Sequence, residues 1–228
     1  MTHRPLVFVE DLDEPRLSDF DHHHLARVRR LRPGEAIVVG DGRGAWREAR
    51  FAGDSPEPSG PVQHLPRPAP PVAVGFALVK ATKPELVVQK LTELGIDRIQ
   101  PFVAARSVVR WDTAKASAAH ERLVKVAREA AMQCHQRWLP EVAPVVDFAT
   151  AVAAPGVALA EAGGCPPSLE RPFLLVGPEG GWAPDELAAA PATVGLAGET
   201  VLRAETAAIA AGALLSALRS GLVLPARP

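Results

Sequence analysis

From residue 72 onward, continuous apolar runs of strand length alternate with stretches of helical period, and this alternation constrains the fold more than any other feature. Residues 72–79 form an apolar strand candidate. Thr82-Lys83-Pro84-Glu85 has capping-box spacing, so a helix is expected from there through Leu94, closed by Gly95. Residues 98–103 read as the next strand and 113–138 as a long helix stopped by Pro140. Residues 155–160 and 172–176 read as buried strands, 184–190 as a short helix, 193–196 as a strand and 205–219 as the last helix. Apolar strands interleaved with helices indicate an α/β domain with a mainly parallel sheet, covered on both faces.

The part before it has a different grammar. Residues 54–71 hold seven prolines and little apolar periodicity, as linkers and edge strands do, which puts a domain boundary near residue 71. Upstream, residues 6–9, 35–39 and 45–51 are short strand candidates, and Asp41-Gly42 between the last two is a hairpin signal. Residues 19–31 are expected to form one short helix ended by Pro33-Gly34. The expectation is a small β-rich domain over 1–71 and an α/β domain over 72–228.

Composition narrows the chemistry. With 228 residues, 47% of them hydrophobic and 22% charged, both parts have enough apolar material to fold. Lys and Arg number 25 against 26 Asp and Glu, so a nucleic-acid contact would rest on a local patch rather than a global field. Cys134 and Cys165 lie far apart without metal spacing, which points to a reducing, cytoplasmic setting. The first residues lack the apolar core of a signal peptide, and no uncharged run reaches the roughly 20 residues that span a bilayer, so no membrane role is expected. Tyrosine is absent, which removes tyrosine acid–base chemistry.

Two segments stand out. Leu174 to Trp182 (LLVGPEGGW) runs from an apolar strand through a glycine-rich turn toward a helix that opens with Pro184-Asp185-Glu186. Ligands of parallel sheets bind at such strand ends, and the acidic first turn disfavours phosphate and suits a neutral or cationic ligand; a purely structural turn is the alternative. The second segment, Val201 to Ala207 (VLRAETA), packs Arg203, Glu205 and Thr206 just before a nearly uncharged helix, where Glu205-Thr206 could serve only as its cap. The small residues of 207–213 allow close backbone approach, within the fold or between subunits.

These segments, with QKLTELGIDRIQP at 89–101, REAAMQCHQRWLP at 128–140 and HLARVRRLRPGEAIVVGDGRG at 24–44, resemble the RsmE family of 16S rRNA (uracil-N3) methyltransferases of the SPOUT superfamily. The resemblance spans nearly the whole chain in order. It implies a PUA-like RNA-binding β-barrel domain followed by a trefoil-knotted SPOUT domain that binds S-adenosyl-L-methionine, in a homodimer acting on the small ribosomal subunit. Carried over by position, it implies cofactor contacts from Leu175, Val176, Gly177, Pro178, Glu179, Gly180, Leu196, Leu202, Arg203, Ala204, Thr206 and Ala207. Ala183 stands where the family often has Ser or Thr, and residues 159–164 depart from the family's strand end.

Transfer to uracil N3 requires loss of a weakly acidic imide proton, so a base or an anion-stabilising group is needed. Arg203, Glu205 and Arg106 match the family's positions for such roles, and Glu93, Glu129, Gln133 and Arg137 are weaker candidates. Arg4, His24, Arg27, Arg30 and Arg32 are the expected RNA contacts, with Arg29 and possible help from Arg43; a solvated basic helix face is the plainer alternative. His22-His23-His24 is not expected to bind metal, since adjacent helical residues point about 100° apart. Trp182 is expected mainly to pack in the core. The rival functions are a non-catalytic rRNA-binding or ribosome-assembly factor and a SPOUT methyltransferase acting on tRNA.

Overall fold

The computed structural model describes residues 4–78, 83–109 and 111–225. Val79, at the end of the first expected α/β strand, and Thr82, the expected cap, lie outside the described residues. The chain divides into two compact units, residues 1–67 with 128–139, and residues 68–127 with 140–228. The single cut expected near residue 71 therefore sits at 67/68, and a second stretch joins the first unit from far along the chain. A sequence scan for linkers has no signal for such a return, because 128–139 carries ordinary helical composition.

In the first unit β1 (Leu6–Phe8) pairs in parallel with β2 (Ala36–Gly40), which forms an antiparallel hairpin with β3 (Ala45–Arg50). Two short strands in the proline-rich stretch, β4 (Glu57–Pro58) and β5 (Gln63–His64), pair with β3. Asp41 makes the expected turn: its Oδ1 accepts from the N–H groups of Arg43 (2.7 Å) and Ala45 (3.0 Å). Alternate residues Val7, Val9, Ile37, Val39, Ala49 and Phe51 point into one core with Leu25.

The single helix expected over 19–31 is instead α1 (Asp19–His23) continued by a π-helical turn (His24–Val28). The Arg29 N–H donates to the His24 carbonyl five residues back, and Arg30 then reverses the chain at φ 57°, before Pro33 is reached.

In the second unit β6 (Ala73–Ala77), β7 (Arg98–Val103), β8 (Glu141–Val142), β9 (Val146–Asp147), β10 (Val157–Cys165), β11 (Phe173–Val176) and β12 (Thr193–Val194) make one sheet. The main order is β12-β10-β11-β6-β7-β8, with β9 also on β7, and every pairing is parallel. Helices α2 (Lys83–Glu93) and α6 (Ala204–Arg219) pack together, and α6 also lies on β6 and β11. On one side Val74, Leu91, Ile99, Leu123, Leu174 and Leu215 form the main core; Phe102, Leu159, Leu175 and Trp182 form a second. The small residues of α6 serve this internal packing, since a Cβ on Gly212 would lie 2.5 Å from Leu91 Cδ2. The strand at 98–103 and the C-cap at Gly95, with φ 75°, stand where the sequence put them.

Helix α3 (Thr113–Cys134) ends earlier than Pro140 would require. His135 turns the chain at φ 61° because the next residues bond the hairpin instead: Leu139 N–H donates to Gly42, and Gly44 N–H to Arg137. The short α4 (Phe148–Val152), β8 and β9 had no sequence signal of their own length.

Candidate functional site

At the carboxyl ends of the central strands, three loops enclose a cleft of about 630 Å³. One wall is Ala160, Glu161 and Ala162 of β10, a second is 176–182 after β11, and the third is 196–204 between β12 and α6. Each wall has a local cause. The β10–β12 ladder shifts register between Ala160 and Cys165, so Glu161 and Ala162 bulge out of it onto the cleft. Gly164 permits the shift by close approach, since a Cβ there would lie 2.6 Å from the Val194 nitrogen.

Trp182 joins two walls. Its Nε1 donates to the Ala160 carbonyl at 2.9 Å, and its ring stacks on Phe102 with a centroid separation of 6.0 Å. Gly177 leaves room for that ring: a Cβ there would lie 2.9 Å from Trp182 Cε2. Beyond the glycines, α5 (Pro184–Ala189) starts at Ala183 without a side-chain cap. Buried Glu186 supplies the missing contact by accepting from Ala183 N–H through Oε2 (2.9 Å), while its Oε1 accepts from Ala105 N–H (2.8 Å). This one carboxylate thereby fastens the loop after β7 to the helix that follows the glycine turn. From that loop Arg106 Nη1 donates to the Gly180 carbonyl at 3.1 Å.

Of the residues expected to contact a cofactor, Val176, Gly177, Pro178, Glu179, Leu196, Leu202, Arg203, Ala204 and Ala207 line the cleft. Leu175, Gly180 and Thr206 do not. Strand alternation sends Leu175 to the opposite core, where it is fully buried; Gly180 faces Arg106; Thr206 is exposed on α6. Of the three catalytic candidates only Arg203 lines the cleft. Arg203 is also the N-cap of α6, with no side-chain cap bond, so Glu205 and Thr206 stand inside the first turn rather than capping it.

Ala160, Glu161, Ala162, Gly181, Trp182, Ala197, Gly198, Thr200 and Val201 complete the lining. Of these, Trp182 does pack in the core as expected, yet it also faces the cleft. Glu161 and Ala162 were legible only as an odd Gly-rich extension of a strand.

The lining is apolar at Val176, Leu196 and Leu202, rich in glycine backbone, and carries Glu161, Glu179 and Arg203 as its charges. Such a site suits a flat apolar group held by backbone donors and acceptors, joined to a part bearing both positive and negative charge. In the first unit Arg4 pairs with Glu48, whereas Arg27, Arg30 and Arg32 are exposed and their guanidinium groups make no ion pair among the described residues.

The α/β unit with its cleft and the small β unit each match a part of the RNA methyltransferases. Residues 66–216 match the family model described as "RNA methyltransferase domain", and 20–57 match "RNA methyltransferase PUA domain". The chain belongs to the RsmE family, the ribosomal RNA small subunit methyltransferases E. It is 37% identical over 223 residues to the Mycobacterium bovis protein of that name, covering 84% of this chain and 82% of the relative. The crystal structure of a probable rRNA-methyltransferase from Porphyromonas gingivalis is 26% identical, with a TM-score of 0.77 over 96% of this chain and 100% of that one. The fold is also that of the Neisseria gonorrhoeae ribosomal RNA small subunit methyltransferase E bound to S-adenosyl methionine, at 24% identity, a TM-score of 0.78, and coverage of 95% and 98%.

Proposed function

We propose that the chain transfers a methyl group from S-adenosyl-L-methionine to N3 of a uridine in 16S rRNA, within the small ribosomal subunit. The observation that carries this reading is the three-walled cleft: its apolar floor and glycine backbone suit adenine, Glu161 and Glu179 suit the cationic sulfonium and ammonium, and Arg203 suits the carboxylate or a uracil anion. The cofactor would supply an electrophilic methyl group on sulfur.

The residues divide the remaining work. Arg203, at the cleft edge and at the start of α6, stabilises negative charge on the uracil oxygens as the N3 proton leaves. Glu205, in the first turn of α6, is the proposed proton acceptor. Arg106 holds the glycine loop through the Gly180 carbonyl.

RNA docks on Arg27, Arg30 and Arg32, with His24 and Arg4, and the three walls are the loops of the trefoil knot that the resemblance implies. The working form is a cytoplasmic homodimer, to be read by sedimentation. The first unit serves as the PUA-like RNA-binding domain and the second as the SPOUT domain.

The test is methyl transfer from labelled S-adenosyl-L-methionine to unmodified small subunits, naked rRNA and tRNA, followed by mapping of the base. Label at a uridine N3 of the small-subunit RNA is expected. Label on tRNA would overturn the substrate, and tight cofactor binding without transfer to any RNA would overturn the catalytic reading in favour of an assembly factor.

A further inference from the structure

Glu161 reaches the cleft because β10 breaks its own ladder. Ala160 and Cys165 both pair with Val194, so residues 161–164 leave the ladder with β12, and the first of them carries a carboxylate onto the cleft. Its wall is also the middle one. Strand β10 lies between β12 and β11, and the other two walls follow those flanking strands, so Glu161 enters between them rather than at either end.

The charged side chains of the lining are not equivalent. Glu179 has a partner of its own. Glu161 is half-buried and makes no hydrogen bond or ion pair among the described residues, with Arg203 or with any other. It is therefore the anion of this lining left to meet a ligand, and a carboxylate partly withdrawn from water favours a cation beside it.

The methyl donor offers two cations of different kinds. Its ammonium carries N–H groups, is held through hydrogen bonds, and sits at the end of the methionine chain beside the carboxylate. Its sulfonium has no N–H, is recognised through its charge, and is the central atom from which the adenosyl, methionine and methyl groups branch. A carboxylate rising between the outer walls meets the middle of such a ligand. We propose that Glu161 is a specificity-determining residue that faces the sulfonium and makes the cleft select the methyl donor over its demethylated product, S-adenosylhomocysteine. The inference rests on the proposed placement of the cofactor in this cleft.

Donor and product differ at that one centre. On transfer the S–CH3 bond breaks with its electron pair left on sulfur, the N3–CH3 bond forms with the pair that the departing proton leaves on N3, and the proton passes to the acceptor named above. Sulfur is then a neutral thioether, and its attraction to Glu161 ends with the reaction. The same carboxylate thereby favours entry of the donor and departure of the product.

The experiment is calorimetry on the full-length chain with S-adenosyl-L-methionine, S-adenosylhomocysteine and sinefungin, in which a protonated amine on carbon stands in place of the methylated sulfonium. Wild type is expected to hold the two cationic ligands about tenfold more tightly than the product, the scale of one partly screened charge pair. Glu161→Gln keeps the shape and removes the charge; it should weaken both cationic ligands by about tenfold and leave the product within about twofold. Glu161→Asp, which retains the charge, should keep most of the preference.

Glu161 lies outside both hydrophobic cores of its unit, so neither variant empties one, and melting curves check the fold. If Glu161→Gln weakens all three ligands alike, or none of them, the assignment to the sulfonium falls and the proposed function stands. Equal affinity of wild type for donor and product would overturn it as well. If wild type binds none of the three, the placement of the cofactor falls with it.

Discussion

Arg128 donates to both carboxylate oxygens of Asp21, at 2.9 Å to Oδ1 and 2.7 Å to Oδ2, and the same guanidinium donates to the Phe8 carbonyl. Asp21 is fully buried and takes a further hydrogen bond from Ser18 Oγ, whereas the Arg128 side chain keeps 29% of its surface exposed. The two partners are therefore unequal. Removing Arg128 strands a buried carboxylate, while removing Asp21 leaves a guanidinium that still reaches water.

Arg128→Ala should accordingly destabilise the protein more than Asp21→Ala, the former by about 3–5 kcal/mol and the latter by less. Urea unfolding of both variants measures the order, and equal losses would contradict it.

Glu186→Ala should loosen two backbone groups at once, Ala105 N–H and Ala183 N–H, at a cost of about 2 kcal/mol. Glu186→Gln should recover only part, because its amide offers one acceptor and turns an N–H donor against the other group. Melting temperatures of the two variants rank them, and full rescue by glutamine would remove the two-handed role.

Gly177→Ala places a Cβ 2.9 Å from a Trp182 ring that is already stacked on Phe102 and bonded to Ala160. The ring must move, and the two walls it joins must move with it. Overpacking of about 1–3 kcal/mol should weaken S-adenosyl-L-methionine binding by about tenfold or more, read by calorimetry. Trp182→Phe, which keeps a ring but loses the Nε1 bond, should be the milder change.

Arg203→Ala should lower methyl transfer by about a hundredfold if its charge is used in the transition state. A separate measurement of cofactor affinity should show a much smaller change. Loss of affinity with an unchanged rate at saturating cofactor would reassign Arg203 to binding.

Asp147 caps α4 by accepting from the Thr150 backbone N–H at 2.8 Å, and the Thr150 side chain and backbone hold its carboxyl below the usual 3.8. A carboxyl lowered on folding contributes stability above its unfolded value and loses it as the pH falls through the folded one. The stability gap between wild type and Asp147→Ala should therefore stay constant from neutral pH down to about pH 5 and narrow below about pH 4. A constant gap down to pH 2 would argue against the cap.

Local patterns in the sequence carried most of the architecture. The run Arg98–Val103, the Asp41-Gly42 turn and the Gly95 stop are decided by neighbours in sequence, and all three are where those neighbours put them. What could not be read was set by distant partners. Nothing near His135 says that α3 must end there, because the hairpin around Gly42 and Gly44 claims the next backbone groups. Likewise the walls at 176–182 and 196–204 carried their own composition, but Glu161 and Ala162 reach the cleft through a register shift against β12. Leu175 lies inside the same motif, yet strand alternation turns its side chain away from the cleft.

The three walls of the cleft, at 160–162, 176–182 and 196–204, all lie late in the sequence, and α6 must pack on β6 and β11 behind them. On the translating ribosome the cleft therefore cannot exist until α6 has emerged from the exit tunnel. A chain truncated before α6 would lose the support behind all three walls at once, and with it the ability to hold the methyl donor.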